Sequence, residues 1–215
     1  LCILLLTGAC GAADQTQPRA STARDDMRAV WVSTVYNLDY PNQPTSDAQA
    51  LQSQADTILQ NCKDMGMNAV ILQVRPCSDA FYPSDLFPWS SYLTGGQDTA
   101  PSGGFDPLEY WVEAAHERGM EFHAWINPFR VTRDGQQEYD RLSASSPAKE
   151  HPEWVVEDGG NCYLDPGLPQ VRELVIQGAE EIVRNYDVDG IHLDDYFYPS
   201  TTFDDGDTFA QYGGD

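Results

Sequence analysis

Two adjacent carboxylates, Asp194 and Asp195, close the apolar run Val188–Tyr196, with His192 two residues before Asp194 and Tyr196 two residues after it. Alternate side chains of an extended chain share a face. Ile191 and Leu193 therefore fall on one face, and His192, Asp194 and Tyr196 on the other. A greasy outer face backed by an acid, an imidazole and a phenol suits the wall of a barrel, whose C-terminal rim is where barrel enzymes keep their chemistry. Two carboxylates on either side of a glycosidic bond can cleave it, one protonating the leaving oxygen and the other acting as nucleophile or base. Asp194 points inward on the best-defined strand and is the first catalytic candidate. Asp195 starts on the outer face and reaches the mouth only where the strand ends, as the second candidate or as a loop cap.

The elements that must position these groups alternate along the chain. Strand-like segments cover Ala29–Thr34, Asn68–Arg75, Glu121–Asn127 and Val188–Tyr196. Between them, apolar residues at helical spacing predict helices over Asp47–Met65, Asp106–Arg118 and a third starting at Pro169. Gly66 and Gly119 read as helix stops, and Asp106-Pro107 as a cap followed by a first-turn proline. The third helix places Val171, Leu174, Val175, Ala179, Ile182 and Val183 on one face. Long loops are expected at 76–104 and 128–167.

Alternation applied to each strand sends Trp31 and Ser33, Ile71, Gln73 and Arg75, and His123, Trp125 and Asn127 to the same side as His192 and Asp194. Tyr36 and Arg130 stand just past strand ends. The candidates for holding a substrate are therefore Tyr36, Arg75, His123, Trp125, Asn127, Arg130, His192 and Tyr196. Arg75 could keep a carboxylate ionised through a charge-assisted hydrogen bond, and His192 could orient a sugar hydroxyl. Taken singly, each residue also has an ordinary structural role; their convergence at four strand ends marks a site.

Strict strand–helix alternation means parallel strands joined by helical crossovers. A doubly wound sheet would show a glycine-rich turn after its first strand, and here that turn reads Ser33-Thr34-Val35-Tyr36-Asn37-Leu38-Asp39. The expectation is an α/β (β/α)8 TIM barrel. A full barrel takes about 250 residues. The 215 residues here carry only four of the eight strands, so the reading is a barrel truncated after its fourth strand. Such a half barrel should expose apolar edges.

The charge balance narrows the partners. The chain carries 34 Asp and Glu against 12 Lys and Arg, a formal charge of −22. That argues against nucleic acid, whose binding rests on basic patches, and disfavours anionic lipid surfaces and anionic substrates. Neutral polymers such as glycans fit, and the five Trp and eleven Tyr include rings able to stack on sugars as well as fill cores. The apolar opening Leu1–Leu6 flows into small residues before Cys10, as in a bacterial lipoprotein signal, and is too short to span a bilayer. Residues 1–10 are read as a signal remnant with Cys10 as the lipidated residue, Thr7 in place of the usual Leu leaving cleavage by signal peptidase I or a non-lipidated form as the alternative; 11–26 are read as a solvated tether, and 27–215 as the half barrel. Membrane contact is then expected only through the lipid anchor, on the bacterial cell envelope. Cys62, Cys77 and Cys162 remain in the domain, enough for one disulfide and one free thiol, and no CxxC pair suggests zinc.

The segments Met27–Thr34, Gln73–Pro76, Pro88-Trp89-Ser90, Phe122–Pro128, Tyr163–Gly167 and Asp189–Tyr196 together resemble the glycosyl-hydrolase-like 10 family of exported or lipid-anchored bacterial proteins. Where the family often has Asn, this chain has Asp165. The resemblance implies a (β/α)8 barrel that hydrolyses glycans, some members acting on peptidoglycan strands stripped of their peptides, and it carries Asp194 over as a catalytic acid or nucleophile. Two other readings stand beside this one: a glycan-binding lipoprotein without turnover, and a metal-dependent amide hydrolase using His123, His192 and Asp194. The first strand lacks the His pair that barrel metallohydrolases commonly carry there, so neither a metal nor a cofactor is expected.

Overall fold

A computed structural model of the chain describes residues 26–194 and 198–213. The signal, the tether through Asp25 and Cys10 lie outside the described residues, as do Asp195 and Tyr196. In chain order the elements are β1 (Ala29–Val32), α1 (Ala48–Asp64), β2 (Ala69–Arg75), α2 (Ser91–Thr94), α3 (Pro107–Glu117), β3 (Glu121–Ile126), α4 (Gly135–Asp140), α5 (Pro147–Glu150), β4 (Val155–Asp158), β5 (Asn161–Leu164), α6 (Pro169–Asn185), β6 (Gly190–Leu193) and α7 (Gly206–Tyr212). The main sheet has the order β1-β2-β3-β6, with every pair parallel. Each strand thus lies beside the next strand of the sheet in chain order, as in the wall of a (β/α) barrel.

The helices form where local chemistry asks for them. Asp47 caps α1 by accepting hydrogen bonds from the backbone amides of Gln49 (3.0 Å) and Ala50 (3.4 Å), and Gly66 ends it at φ +77°, a backbone that glycine adopts without strain. Asp106 caps α3 in the same way, with Pro107 at the first turn. Leu51, Ala55, Leu59 and Cys62 of α1 and Leu108, Trp111, Val112 and Ala115 of α3 are buried. They pack in one core with Val70, Leu72 and Val74 of β2 and Phe122, Ala124 and Ile126 of β3. These strand residues are the ones that alternation assigns to the outer face.

The structure departs from the sequence reading in several places, beginning with the loops, since α2 lies within 76–104. Residues 128–167 are not a plain loop: β4 and β5 pair as an antiparallel hairpin. Its turn is Gly159-Gly160 at φ +58° and +83°, the backbone that tight hairpins need. The hairpin builds a second, smaller core from Val131, Ala148, Cys162, Leu164 and Val171. Val183 of α6, expected on the buried face, is 60% exposed and lies beside exposed Ile176, because no element among the described residues covers that side of the helix. Cys62, Cys77 and Cys162 are all free and buried, so the one disulfide open to them is not formed. Finally, β6 is shorter than expected, and Asp194 follows its last residue. Among the described residues no helix is long and apolar enough to cross a membrane.

Candidate active site

The inner face of the sheet brings side chains from three strands into contact. Trp31 of β1 meets Trp125 of β3 edge to face with ring centroids 5.0 Å apart, and meets His192 of β6 at 5.3 Å. β1 and β6 are three strand spacings apart in the sheet order, about 14 Å if the sheet were flat. Contact between their side chains is what a strongly curled sheet produces, with this face concave. Trp125 donates from Nε1 to the backbone oxygen of Asp194 at 3.3 Å, so the indole fixes the end of the strand on which the exposed Asp194 carboxylate stands.

The two imidazoles form a relay on this face. His192 Nε2 lies 2.9 Å from His123 Nδ1, and His123 Nε2 lies 3.1 Å from a carboxylate oxygen of Glu121. The consistent assignment has His123 donating to Glu121 and accepting from His192. Burial, and then the charge on His123, holds the His192 pKa below its ordinary value, so the neutral ring is favoured. His123 sits over Gly190, its register partner on β6. A Cβ at Gly190 would overlap the ring at Nδ1, which explains a glycine in the middle of a wall.

Gln73 points inward as expected, and its work is structural. Its side-chain oxygen accepts from the backbone amides of Thr34 and Val35, each at 3.0 Å, and from the Ser33 hydroxyl at 3.2 Å. It thereby pins the chain as it leaves β1. The next residues, Tyr36 and Asn37, sit at φ +57° and +52°, a left-handed backbone that costs non-glycine residues about 1–3 kcal/mol and concentrates at functional sites. Asn37 offsets this by donating from Nδ2 to the backbone oxygens of Tyr92 (2.6 Å) and Pro41 (2.9 Å). Tyr36 is left exposed above the mouth, its hydroxyl 3.3 Å from the Arg133 backbone oxygen.

Arg75 is a correction. The pairing of β2 with β3 slips between Gln73 and Arg75, and a bulge of this kind re-aims the following side chain. The Arg75 guanidinium lies 3.8 Å over the Phe87 ring and against Gly178 of α6, 1% exposed, in the helix layer and not in the mouth. It cannot hold Asp194 ionised from there. Burial lowers its pKa against the opposing fields of Tyr82, Glu181 and Asp79. Asn127 is at the strand end but buried, its backbone amide donating to the Arg75 oxygen at 2.9 Å. Arg130 is partly buried among the loops, with Nη1 3.4 Å from the Pro76 oxygen.

Alternation says nothing about a second polar cluster beneath these loops. Asp79, four residues past the end of β2, is buried, and burial raises its carboxyl to about 6. One of its oxygens accepts from the Cys77 amide at 3.2 Å. Glu138 of α4 accepts from the amides of Arg133 (2.6 Å) and Asp134 (2.7 Å). A short Asp-containing run after a strand was the available signal for Asp79; Glu138, inside a stretch read as loop, offered none. Among the described residues, no three of His, Cys, Asp and Glu gather as a metal-binding group.

The family model described as glycosyl hydrolase-like 10 matches residues 26–215. The chain belongs to this glycosyl hydrolase-like family. It is 42% identical over 204 residues to the glycosyl hydrolase YngK of Bacillus subtilis and 36% identical over 218 residues to the glycosyl hydrolase DigH of Escherichia coli K12. These alignments take in 92% and 93% of this chain but 39% and 49% of those proteins, so the chain spans less than half the length of either relative. In fold it is similar to an alpha-L-fucosidase isoenzyme 2 from Paenibacillus thiaminolyticus, with a TM-score of 0.56 at 20% identity, over 87% of this chain and 26% of that one. For a glycosyl hydrolase-like 10 protein, the aromatic concave face and the strand-end carboxylate are the features that need a chemical account.

Proposed function

We propose that this chain forms the first half of a (β/α)8 glycoside hydrolase that cleaves glycosidic bonds in a bacterial cell-envelope polysaccharide, peptidoglycan glycan strands among them. The observation that carries the reading is Asp194, held at the C-terminal end of β6 by Trp125 and opening onto the face formed by Trp31, Trp125, His123 and His192. Family membership and the parallel, in-order sheet support it. In this reading four further strands complete the barrel, and the chain's coverage of less than half of YngK and DigH is compatible with that.

In this mechanism Asp194 is one of the two carboxylates flanking the scissile bond, and the other comes from the second half of the barrel, with Asp195 the alternative within this chain. Trp31 and Trp125 offer ring faces and edges to the apolar face of a sugar. Neutral His192, with its Nε2 proton given to His123, can accept one hydrogen bond from a sugar hydroxyl at Nδ1 without adding charge, and Tyr36, with the Arg133 guanidinium over its ring, borders the entrance. Export and lipidation at Cys10 would place the enzyme at the envelope, and Cys10→Ser should then release it from the membrane fraction.

The test is Asp194→Asn in the full-length protein, assayed by release of reducing ends from peptide-free glycan strands. Loss of a catalytic carboxylate should lower the rate by about 10²–10⁴-fold while glycan binding survives. Undiminished turnover would remove Asp194 from the mechanism. Binding with no turnover in the unsubstituted protein would favour a glycan-binding role.

A further inference from the structure

A cleft of about 470 Å³ lies beside the mouth, where the loops after β1, β2 and β3 meet; its walls include Asn37, Tyr92, Gln97, Asp134, Glu138 and Arg141. We propose that this cleft is a distal subsite that binds one uncharged pyranose unit of the glycan whose cleavage occurs at the strand ends. The identity of the ligand rests on the glycan-hydrolase reading above; the existence of the subsite does not.

The size suits a small polar ligand, since ligand clefts run from about 300 to 1,000 Å³. The chemistry of the walls is more specific. A sugar hydroxyl both donates and accepts, so it is matched by donors and acceptors placed side by side. Here Asp134 and Glu138 supply carboxylate oxygens and Arg141 a guanidinium. Among the described residues the Arg141 side chain has no ion-pair or hydrogen-bond partner, although it shares the cleft with two acids. Glu138 directs one carboxylate oxygen at two backbone amides, and among the described residues the Asp134 carboxylate has a single 3.5 Å contact, from the Tyr36 hydroxyl, so acceptor capacity remains. An anion would meet both carboxylates, and a cation would meet Arg141. A neutral polyhydroxyl ring meets neither difficulty.

The cleft is also built in advance. The Ser143 amide donates to the Gln97 side chain at 2.8 Å and the Ser143 hydroxyl to Asp98 at 2.5 Å, tying the loop after β2 to the loop after β3. Asn37 ties the loop after β1 to Tyr92. Walls fixed before binding spare a ligand the cost of ordering them. Tyr36 joins the two regions, since its ring meets that of Tyr92 with centroids 6.0 Å apart while its own position is the exit of β1. A polymer lying across the mouth would reach the cleft past Tyr36.

The experiment measures equilibrium binding of peptide-free peptidoglycan oligosaccharides, whose muramic units carry carboxylates, and of uncharged N-acetylglucosamine oligomers of the same lengths, from disaccharide to octasaccharide, to the full-length protein by titration calorimetry at one fixed ionic strength, with cleavage followed in parallel. Two variants are compared: Arg141→Ala, at an exposed and unpartnered side chain, and Gly96→Trp, which fills the cleft from a position whose Cβ direction meets nothing closer than an ordinary contact. Both should weaken octasaccharide binding about tenfold, the value of one charge-assisted hydrogen bond, and leave disaccharide binding at the mouth unchanged. Equal effects at every length, or none, would overturn the subsite even if cleavage is observed. Length-dependent loss in a protein that cleaves nothing would support the subsite while overturning the hydrolase reading, and failure of every oligosaccharide to bind would overturn both.

Discussion

β2 and β6 are both short apolar strands that pair in parallel with β3, yet all seven residues of β2 are buried and none of the four in β6 is. Their composition does not explain the difference. β2 has a strand on each side and lies under Phe87, α1 and α3, whereas β6 has one strand neighbour among the described residues and a partly covered outer face. Burial is decided by what lies over a strand. The consequence for function is that the well-packed strand carries structural polar groups, Gln73 and the displaced Arg75, while the thinly covered one carries Asp194 and His192.

The largest effect that tests this contrast is a cavity in the closed region. Leu72 is 1% exposed in the centre of β2. Leu72→Ala should cost about 2–5 kcal/mol in urea unfolding, because the surrounding core relaxes only partly around the lost atoms. A cost near that of a surface substitution would mean that β2 is not the rigid centre of the sheet.

Titration sets the two regions against each other. Buried Asp79, beside β2, holds its proton up to about pH 6 in the folded chain, against 3.8 for an ordinary carboxyl. The folded state therefore binds more protons between those values. The contribution of Asp79 to stability is fully present below pH 3.8 and is lost as pH rises through about 6. Asp79→Asn removes that dependence, and by about pH 7.5 it should recover up to about 3 kcal/mol relative to its effect at about pH 3.5. His192 on β6 has the opposite sign. Its folded pKa lies below the unfolded value, first through burial and then through His123. Its contribution is present above about pH 6.5 and is lost as pH falls through the folded pKa. His192→Gln should remove a loss of stability that sets in as pH falls below about 6.5, while Asp79→Asn removes a loss that sets in as pH rises from 3.8 through about 6, so the two variants change the slope of the acid limb in opposite directions. Two variants changing that slope in the same direction would refute one of the assignments.

How much of this was legible beforehand follows from what is local. The helix start at Asp47, the cap at Asp106, the stop at Gly66 and the period of the first three strands are written in neighbouring residues, and those elements lie within a residue or two of the sequence reading; β6 ends three residues early. The Gly159-Gly160 hairpin turn was also written there, but the alternation around it is weak: Val155 and Val156 are adjacent apolars, and Asp158 lies next to the turn. Arg75 fails for another reason. Alternation assumes an unbroken ladder, and a bulge is a property of two strands together. Asp79 shows a third limit, since burial of a loop carboxylate depends on loops far apart in sequence folding over one another. At the site, the inward placement of His123, Trp125 and His192 was readable from period alone. The hydrogen bond between the two rings was not, because it requires the register of β3 against β6.

That register supplies the next prediction. Gly190 lies opposite His123, and a methyl group there would strike the ring. Gly190→Ala should cost about 1–3 kcal/mol by overpacking. The double variant with His123→Ala should recover most of that loss, since groups in direct contact are not additive. Simple additivity would place the cause in the Gly190 backbone and not in the imidazole.

The smallest effect returns to the opening contrast. Leu193 ends β6 and is 54% exposed. Leu193→Ala in this 215-residue chain should change stability by no more than about 0.5 kcal/mol, as surface substitutions do. In a protein of the family's full length, where the proposed second half of the barrel would supply the next strand and the helix over this face, the same change should cost about 2–4 kcal/mol. The comparison needs only two unfolding curves per protein. A small cost in both would mean that β6 remains an edge in the complete molecule, and the half-barrel proposal would fail with it. A large cost confined to the longer protein would show that the leucine is a core residue whose cover lies in the part of the family fold not spanned here.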